Sequence, residues 1–385
     1  MFCALLGACA GPRLASQPPQ SIFRDDLFNA PEERFGANNV FAITEPMRRF
    51  LASDIAPQLR RQGPLMGLID ALYRKRQLKL EYDSSMTRNA SEAFEARAGN
   101  CLSLVIMTAA FAEELGLRVD FHEAGIEEMW SRNGNLLVGS GHVNVTIGTW
   151  LNDPLDSVAE NSLTIDFLPP DEIGGLRTRV IPEKTVVAMY LNNKSVEALV
   201  QGQLDDAYGW ARAAIRQHPR FPNSYNTLGV VYLRHGDLDQ AIHVFRYALE
   251  HGSESPVLIS NLADALERAG NEAEASALRV YLAQLDPYPP YYFFDLGRKA
   301  MERGDYPMAR TFFAKEVARA DYNHEFHFWL AVAYYDLGDM DRARHQMLEA
   351  MERSPSRSDH TRYEAKLAWL KSNEHAKAPA KTAPQ

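Results

Sequence analysis

The feature that most constrains this chain is a period of 34 residues in its C-terminal half. Glycines keep this interval: Gly202, Gly236, Gly270, Gly304 and Gly338. Alanines keep it in phase with them: Ala207, Ala241, Ala275, Ala309 and Ala343. Two residue types that share one period indicate a repeated supersecondary unit. Such a unit buries its apolar face only against its neighbours in a stack.

The repeated unit resembles the tetratricopeptide repeat (TPR), a helix–turn–helix motif of the same length. In residues 222–255 the positions typical of the two TPR helices hold Tyr225, Leu228, Gly229, Tyr232, Ala241, Phe245 and Ala248. Between them, Gly236-Asp237 is a turn signal. The resemblance implies an all-α TPR superhelix in this half of the chain.

Five units are predicted, over residues 188–221, 222–255, 256–289, 290–323 and 324–357. The first unit departs from the motif, because Lys194 and Ser195 stand where a Leu-Gly pair is expected. Such a departure is typical of an end repeat or of a repeat that packs on another domain. In the remaining segment, 358–385, residues 359–371 are predicted to form a helix over the open end of the array, and the Ala/Pro/Lys tail to be disordered.

The N-terminal half has the mixed pattern of an α+β domain. Residues 43–77 have helical periodicity, whereas 78–83, 119–123, 142–150 and 162–170 have the pattern of strands. An apolar helix is predicted from Cys101 to Leu115. A cysteine in the first turn of a helix lies where backbone N–H groups and the helix dipole stabilise a thiolate. A histidine and an acid on neighbouring strands, such as His142 and Asp166, could complete a nucleophilic site.

The segment TRNASEAFEARAGNCLSLVIMTAAFAEELGLRV, followed by GHVNVTI and TIDFLPP, resembles the transglutaminase-like superfamily over residues 78–170. This resemblance implies that Cys101 is a nucleophile, His142 its base and Asp166 the acid that orients the histidine. It also implies acyl chemistry on an amide, without identifying the substrate.

Two positions depart from that superfamily. Val143-Asn144 follows the histidine where an aromatic residue is frequent, and Asp166-Phe167 stands where an Asp-Pro step is frequent. Asp153 and Asp156 therefore remain alternatives for the acid. His122, beside Glu123, is interpreted as a bystander because the order of the strands favours His142.

The first residues predict the cellular location. Leu6-Gly7-Ala8-Cys9 resembles the bacterial lipobox, which implies a lipid on Cys9, although no positively charged segment precedes the apolar stretch. We therefore expect a lipoprotein of the bacterial cell envelope. The predicted domains are a signal and tether over 1–20, a transglutaminase-like domain over 21–187, the repeats over 188–357 and the final segment 358–385.

Composition excludes several other classes of protein. The net charge is −9, from 41 basic and 50 acidic residues, and no basic block is present, so the chain is not suited to nucleic acid. No apolar run approaches the length of a membrane span, so a lipid would be the only membrane contact. Three cysteines without metal-ligand spacing predict neither a metal site nor a cofactor.

Two functions from different classes fit these features. The first is a thiol enzyme that hydrolyses or transfers the acyl group of a peptide or protein amide and docks a partner through the repeats. The second is a non-catalytic TPR adaptor with an inactive transglutaminase-like domain. In either case a peptide-binding groove is predicted at Tyr291, Phe294, Arg298, Phe328 and Tyr335. In an alternative interpretation, the helix 359–371 covers this patch with Tyr363, Leu367 and Leu370.

Overall fold

The computed structural model describes residues 17–73, 78, 80–83, 86–133, 136–149, 162–167, 178–252, 255–285, 288–354 and 357–372. Cys9, Asp153, Asp156 and the C-terminal tail lie outside these residues, so the predicted lipid anchor and the alternative acids stay predictions. Within the described ranges, no helix combines the length and apolar character that a membrane span requires. The chain divides into two compact units. One runs to residue 287 without 82–85 and 129–131, and the other holds those stretches and everything from 288.

The first unit begins with the α+β domain. Its helices are α1 (Glu45–Arg49), α2 (Ala56–Tyr73), α3 (Ala90–Ala96) and α4 (Cys101–Glu114). Its strands are β1 (Glu81–Tyr82), β2 (Ala98–Gly99), β3 (Arg118–Asn133), β4 (Leu136–Gly148), β5 (Ser162–Ile165) and β6 (Thr178–Ile181). β1 and β2 form a two-stranded sheet, and the others form a sheet in the order β5-β4-β3-β6.

Helix α4 is the centre of this domain. It is buried from its first residue to Ala112 and packs against β4. Val143, Val145 and Ile147 alternate along β4 and lie in the same core as α4, so one face of the strand is apolar. β5 pairs antiparallel with β4, with Val145 opposite Ile165. The residue after β5, Asp166, is thereby brought beside the start of this paired stretch.

Some predicted elements differ from the observed ones. The predicted helix over 43–77 is divided, because Gly63 has a φ of 79° and Pro64 cannot donate a backbone hydrogen bond. Within the described part of the predicted strand 78–83, only Glu81–Tyr82 is paired. β3 and β4 are longer than predicted, whereas β5 ends at Ile165.

The repeats follow as pairs of helices. In the first unit these are α5 (Glu183–Val200), α6 (Leu204–Gln217), α7 (Pro222–His235), α8 (Leu238–Glu250), α9 (Pro256–Arg268) and α10 (Glu272–Leu285). In the second unit they are α11 (Tyr292–Glu302), α12 (Tyr306–Arg319), α13 (His324–Asp336) and α14 (Met340–Glu352), followed by α15 (Arg357–Ser372).

The structure explains why glycine recurs with the repeat. All five periodic glycines follow the first helix of a pair and have φ values from 73° to 97°, which other residues adopt only with strain. A different glycine, Gly229, allows the two helices of its repeat to approach, because a Cβ atom there would overlap the ring of Phe245.

The first repeat shares its core with the α+β domain. Helix α5 begins at Glu183, directly after Pro182, so the predicted boundary between 187 and 188 falls inside a helix. Buried residues from Val186 to Leu191 belong to the same hydrophobic cluster as α4 and β4. The first repeat thus packs on another domain, which is one of the two situations in which a departure from the TPR pattern is expected.

A segment near the N-terminus packs on the repeats instead of on the α+β core. Ile22, Phe28 and Phe35 are buried in the cluster formed by α6, α7 and α8. The ring of Phe28 stacks on Tyr208 at 4.2 Å between centroids, and the Tyr232 hydroxyl donates to the Ile22 carbonyl at 2.8 Å. Residues that the sequence assigned to the N-terminal domain are therefore part of the core of the first two repeats.

Candidate functional site

Cys101 is the first residue of α4, as the sequence predicts. The preceding residue, Asn100, caps the helix: its side-chain oxygen accepts from the Ser103 backbone N–H at 2.9 Å and from the Ser103 hydroxyl at 2.7 Å. The cap fixes the direction of the first turn. Cys101 is 6% exposed, so its thiol lies in the interior.

The turn before α4 is held from the other side. The Ser103 hydroxyl accepts from the Arg88 backbone N–H at 2.8 Å, and the Asn100 amide donates to the Thr87 hydroxyl at 2.9 Å. Glycine is needed at residue 99, because a Cβ there would lie 2.6 Å from the Cβ of Ser103. The Ala-Gly-Asn-Cys sequence thus folds into one tightly packed turn that fixes the position of Cys101.

His142 and Asp166 are in direct contact. Nε2 of the His142 ring lies 2.7 Å from Oδ1 of Asp166. The second carboxylate oxygen of Asp166 accepts from the Asn144 amide at 3.3 Å. His142 is 0% exposed. The structure therefore brings together the histidine and the acid that the resemblance implies.

The third member of the predicted site, Cys101, affects the pKa of His142. Burial lowers the pKa of His142, but the hydrogen bond to Asp166 and the neighbouring Cys101 thiol outweigh it and raise the pKa to about 9. Within the described part of the chain, the Nδ1 atom of His142 has no hydrogen-bond partner. The Cys101 thiol is near enough to the ring to affect the pKa of His142.

This arrangement has a defined chemical capacity. A histidine whose pKa lies near 9 is protonated at neutral pH, so the ring carries a proton that it can give to a leaving group. Asp166 fixes the orientation of the ring and stabilises its charge. A sulfur, a protonated imidazole and an orienting carboxylate are the kinds of group that acyl transfer through a thiol uses.

His122 belongs to a different polar cluster. Its Nε2 lies 3.0 Å from the Thr146 hydroxyl, which is 2.8 Å from the hydroxyl of Thr164. These contacts join β3, β4 and β5 across the sheet. His122 thus takes part in a hydrogen-bonded group separate from the contact between His142 and Asp166.

Two residues of the predicted peptide groove lie elsewhere than expected. Tyr291 is 2% exposed and Phe294 is 3% exposed. Both pack edge-on or tilted against the ring of Phe326, at 4.8 and 5.3 Å. Their side chains face the core of the second unit, so they do not line an open groove. The prediction failed because it assigned positions by register and did not include the packing of the next repeat.

Two further groove residues are covered by α15. The ring of Phe328 stacks on Tyr363 at 5.4 Å, and Tyr335 lies 5.4 Å from Trp369. Tyr363, Leu367 and Leu370 are buried against Ala331 and Met347. This packing matches the alternative in which the C-terminal helix fills the patch. The fifth residue, Arg298, places its guanidinium 3.9 Å above the Trp329 ring.

Some contributors were not found by sequence reasoning. The sequence patterns point to Asn144 only as a departure from the family pattern, and they do not single out Asn100. An asparagine directly before a helical cysteine is a cap signal that could have identified Asn100. Thr87 has no comparable signal. Among the residues that the structure describes, no cluster of histidine, cysteine and carboxylate side chains could hold a metal ion.

Comparison with known proteins identifies the repeats. The tetratricopeptide repeat family matches residues 192–256, 226–290 and 294–358. The repeats are tetratricopeptide repeats. No curated protein matches the chain.

Several solved TPR structures are similar to the same part of the chain. YrrB, described as a TPR protein with an unusual peptide-binding site, is 17% identical over 46% of this chain and 92% of its own, with a TM-score of 0.26. TTC0263, a thermophilic TPR protein of Thermus thermophilus, is 18% identical over 48% and 99%, with a TM-score of 0.31. PilF of Pseudomonas aeruginosa is 17% identical over 49% and 94%, with a TM-score of 0.28. At such scores nothing about partner or activity follows from these likenesses.

Proposed function

We propose that this protein is an interaction protein that binds a peptide or protein partner through its TPR helices. The observation that carries the proposal is the repeat array, which the family match assigns to residues 192–358 except for 291–293. Stacked helical repeats present a long continuous surface, and docking of peptides is a frequent use of such surfaces. This corresponds to the adaptor alternative, with an N-terminal domain that need not turn over a substrate.

The packing of the aromatic residues places the proposed binding surface on a different repeat from the predicted groove. Tyr291 and Phe294 are buried, so the exposed side chains on the first helix of the third repeat are better candidates. Asp264 and Glu267 are exposed there and pair with Arg279 of the second helix, at 3.0 Å in the case of Asp264. A partner with basic residues could replace Arg279 as their counterion.

A peptide-display selection on the full-length protein tests this function. We expect enrichment of peptides with a common basic motif, and weaker binding of those peptides to the Asp264→Asn, Glu267→Gln variant. Glu250→Gln, an exposed change on α8, is the control and should leave binding unchanged. Selection without any common motif would contradict the proposal.

A second function is favoured by a separate observation, the contact of His142 with Asp166 beside Cys101. In this function the Cys101 sulfur adds to the carbonyl carbon of an amide. The C–N bond then breaks as the His142 imidazolium gives its proton to the leaving amine. Water or a second amine attacks the resulting thioester and releases the acyl group, and its proton returns to His142. Asp166 keeps the ring in place throughout.

An activated ester tests this second function without knowledge of the substrate. Native protein treated with p-nitrophenyl acetate should gain one acetyl group on Cys101, as seen by mass spectrometry of its peptides. The Cys101→Ala variant should gain none at this position, and His142→Ala should gain it more slowly. Acetylation of Cys101 only after unfolding would identify an inert structural thiol and leave the adaptor function alone.

The location of the protein is a further proposal. The lipobox-like sequence before Cys9 supports an anchor in the bacterial cell envelope. In a bacterial host, the protein should sediment with membranes, and Cys9→Ser should release it. A wild-type protein found entirely in the soluble fraction would contradict the anchor.

A further inference from the structure

The polar residues that distinguish the first repeat make two separate contacts. Ser195 donates its hydroxyl hydrogen to the Ala207 carbonyl at 2.7 Å, inside the repeat. Lys194 contacts Glu197 one turn later, with 3.2 Å between Nζ and Oε2. The other carboxylate oxygen of Glu197 accepts from the backbone N–H of Thr87 at 2.5 Å. Glu197 therefore links the first repeat helix to the α+β domain.

The link continues to the helix that carries Cys101. Thr87 is 1% exposed, and its hydroxyl accepts from the Asn100 amide at 2.9 Å. The side-chain oxygen of Asn100 in turn caps α4 through the backbone N–H of Ser103. Three consecutive hydrogen bonds thus connect Glu197 with the first turn of α4.

We propose that Glu197 is a positioning residue for Cys101, acting through Thr87 and the Asn100 cap. The inference rests on the proposed thiol function. The backbone N–H of Thr87 needs an acceptor because it belongs to a buried residue, and Glu197 supplies it from a neighbouring element. Without this acceptor the segment before α3 loses its fixed position, and with it the Thr87 hydroxyl that holds Asn100. The sulfur then moves relative to His142.

This role accounts for the sequence of the first repeat. A Leu-Gly pair at 194 and 195 would provide no partner for Glu197, although such pairs at 228–229 and 296–297 allow close approach to the second helix of their repeats. Lys194 instead lies beside the carboxylate and offsets its charge. The first repeat is thus both a repeat and a support for the helix that holds the thiol.

The experiment measures the rate at which iodoacetamide alkylates Cys101 in the full-length protein, from pH 5 to pH 10. Glu197→Ala should slow alkylation at neutral pH between about two-fold and about thirty-fold and change the shape of the pH profile. Glu197→Gln retains an oxygen acceptor for Thr87 and should restore most of the rate. Glu250→Gln, on the exposed side of α8, should match the wild type.

A second variant keeps the test decisive if Glu197→Ala does not fold. Thr87→Val preserves shape and the backbone N–H but removes the hydroxyl that holds Asn100, so it should also slow alkylation. A wild-type rate and profile in Thr87→Val, or equal slowing by the Ala and Gln changes at Glu197, would overturn the inference.

If wild-type Cys101 reacts only after unfolding, or if His142→Ala has no effect, the thiol function itself fails. If those two controls succeed and only the Glu197 and Thr87 variants have no effect, the positioning role alone is refuted.

Discussion

At the scale of single residues, Asn144 supports the acid that contacts the histidine. The side-chain amide of Asn144 donates to Asp166 at 3.3 Å. The carboxylate of Asp166 thus contacts both the His142 ring and this amide. The bond from the amide helps to hold the acid after the end of β5.

The role of Asp166 can be measured through His142. Asp166→Asn removes the charge that raises the pKa of the histidine, so this pKa should fall by about one to three units. Nuclear magnetic resonance titration of the ring, or the pH profile of Cys101 alkylation, reports the change. Asp153→Asn is the matched control for the alternative acid. A larger fall in that variant than in Asp166→Asn would assign the acid to Asp153.

The same histidine predicts a pH dependence of stability. Its pKa is raised from 6.5 to about 9 in the folded protein, so the folded state binds this proton more tightly than the unfolded chain. The stabilisation is complete below pH 6.5 and is lost as the pH rises through about 9. Urea unfolding should show a loss of up to about 3 kcal/mol over this window. His142→Gln should lack this dependence, and an equal slope in both proteins would refute it.

At the scale of helices and strands, the sequence predicted those features that residues close together in the chain determine. The start of α4 at Cys101 and the turns after the first helices follow from an N-cap asparagine and from glycines with positive φ. The burial of Tyr291 and Phe294 was missed, because Phe326 comes from the next repeat and no spacing within one unit indicates its contacts.

Helix α15 should contribute strongly to the stability of the second unit. Tyr363 is 1% exposed and stacks on Phe328. Tyr363→Ala should destabilise this unit by about 3 to 5 kcal/mol, since it removes a buried aromatic ring. Glu364→Ala, on the exposed face of the same helix, should change stability by less than about 0.5 kcal/mol. Thermal unfolding followed by circular dichroism distinguishes the two, and equal effects would show that α15 does not cover the patch.

At the scale of the whole molecule, the first unit joins two parts that the sequence separates. Helix α5 lies in the α+β core, and the segment from Ile22 to Phe35 lies in the core of the first two repeats. Periodicity could not predict this exchange, because the segment has no repeat pattern and its partners are far away in the sequence. The contact of Phe35 with Gly209 shows the match in shape: a Cβ at Gly209 would overlap the ring.

Phe28 tests how far the N-terminal segment stabilises the repeats. The ring is 7% exposed and stacks on Tyr208, so Phe28→Ala should destabilise the first unit by about 3 kcal/mol or more. Proteolysis within residues 17–40 should become faster in this variant. Asn29→Ala, whose side chain is exposed, is the control. Unchanged stability in Phe28→Ala would show that the segment only lies on the repeats.

The most direct test of the thiol site is the pH profile of Cys101 alkylation in the native full-length protein, compared with that of His142→Ala. With His142 held by Asp166 and protonated at neutral pH, wild-type Cys101 should react at neutral pH, and the histidine variant should react more slowly there. Identical profiles, or reaction of Cys101 only in the unfolded chain, would contradict the presence of a reactive thiol site beside the TPR array.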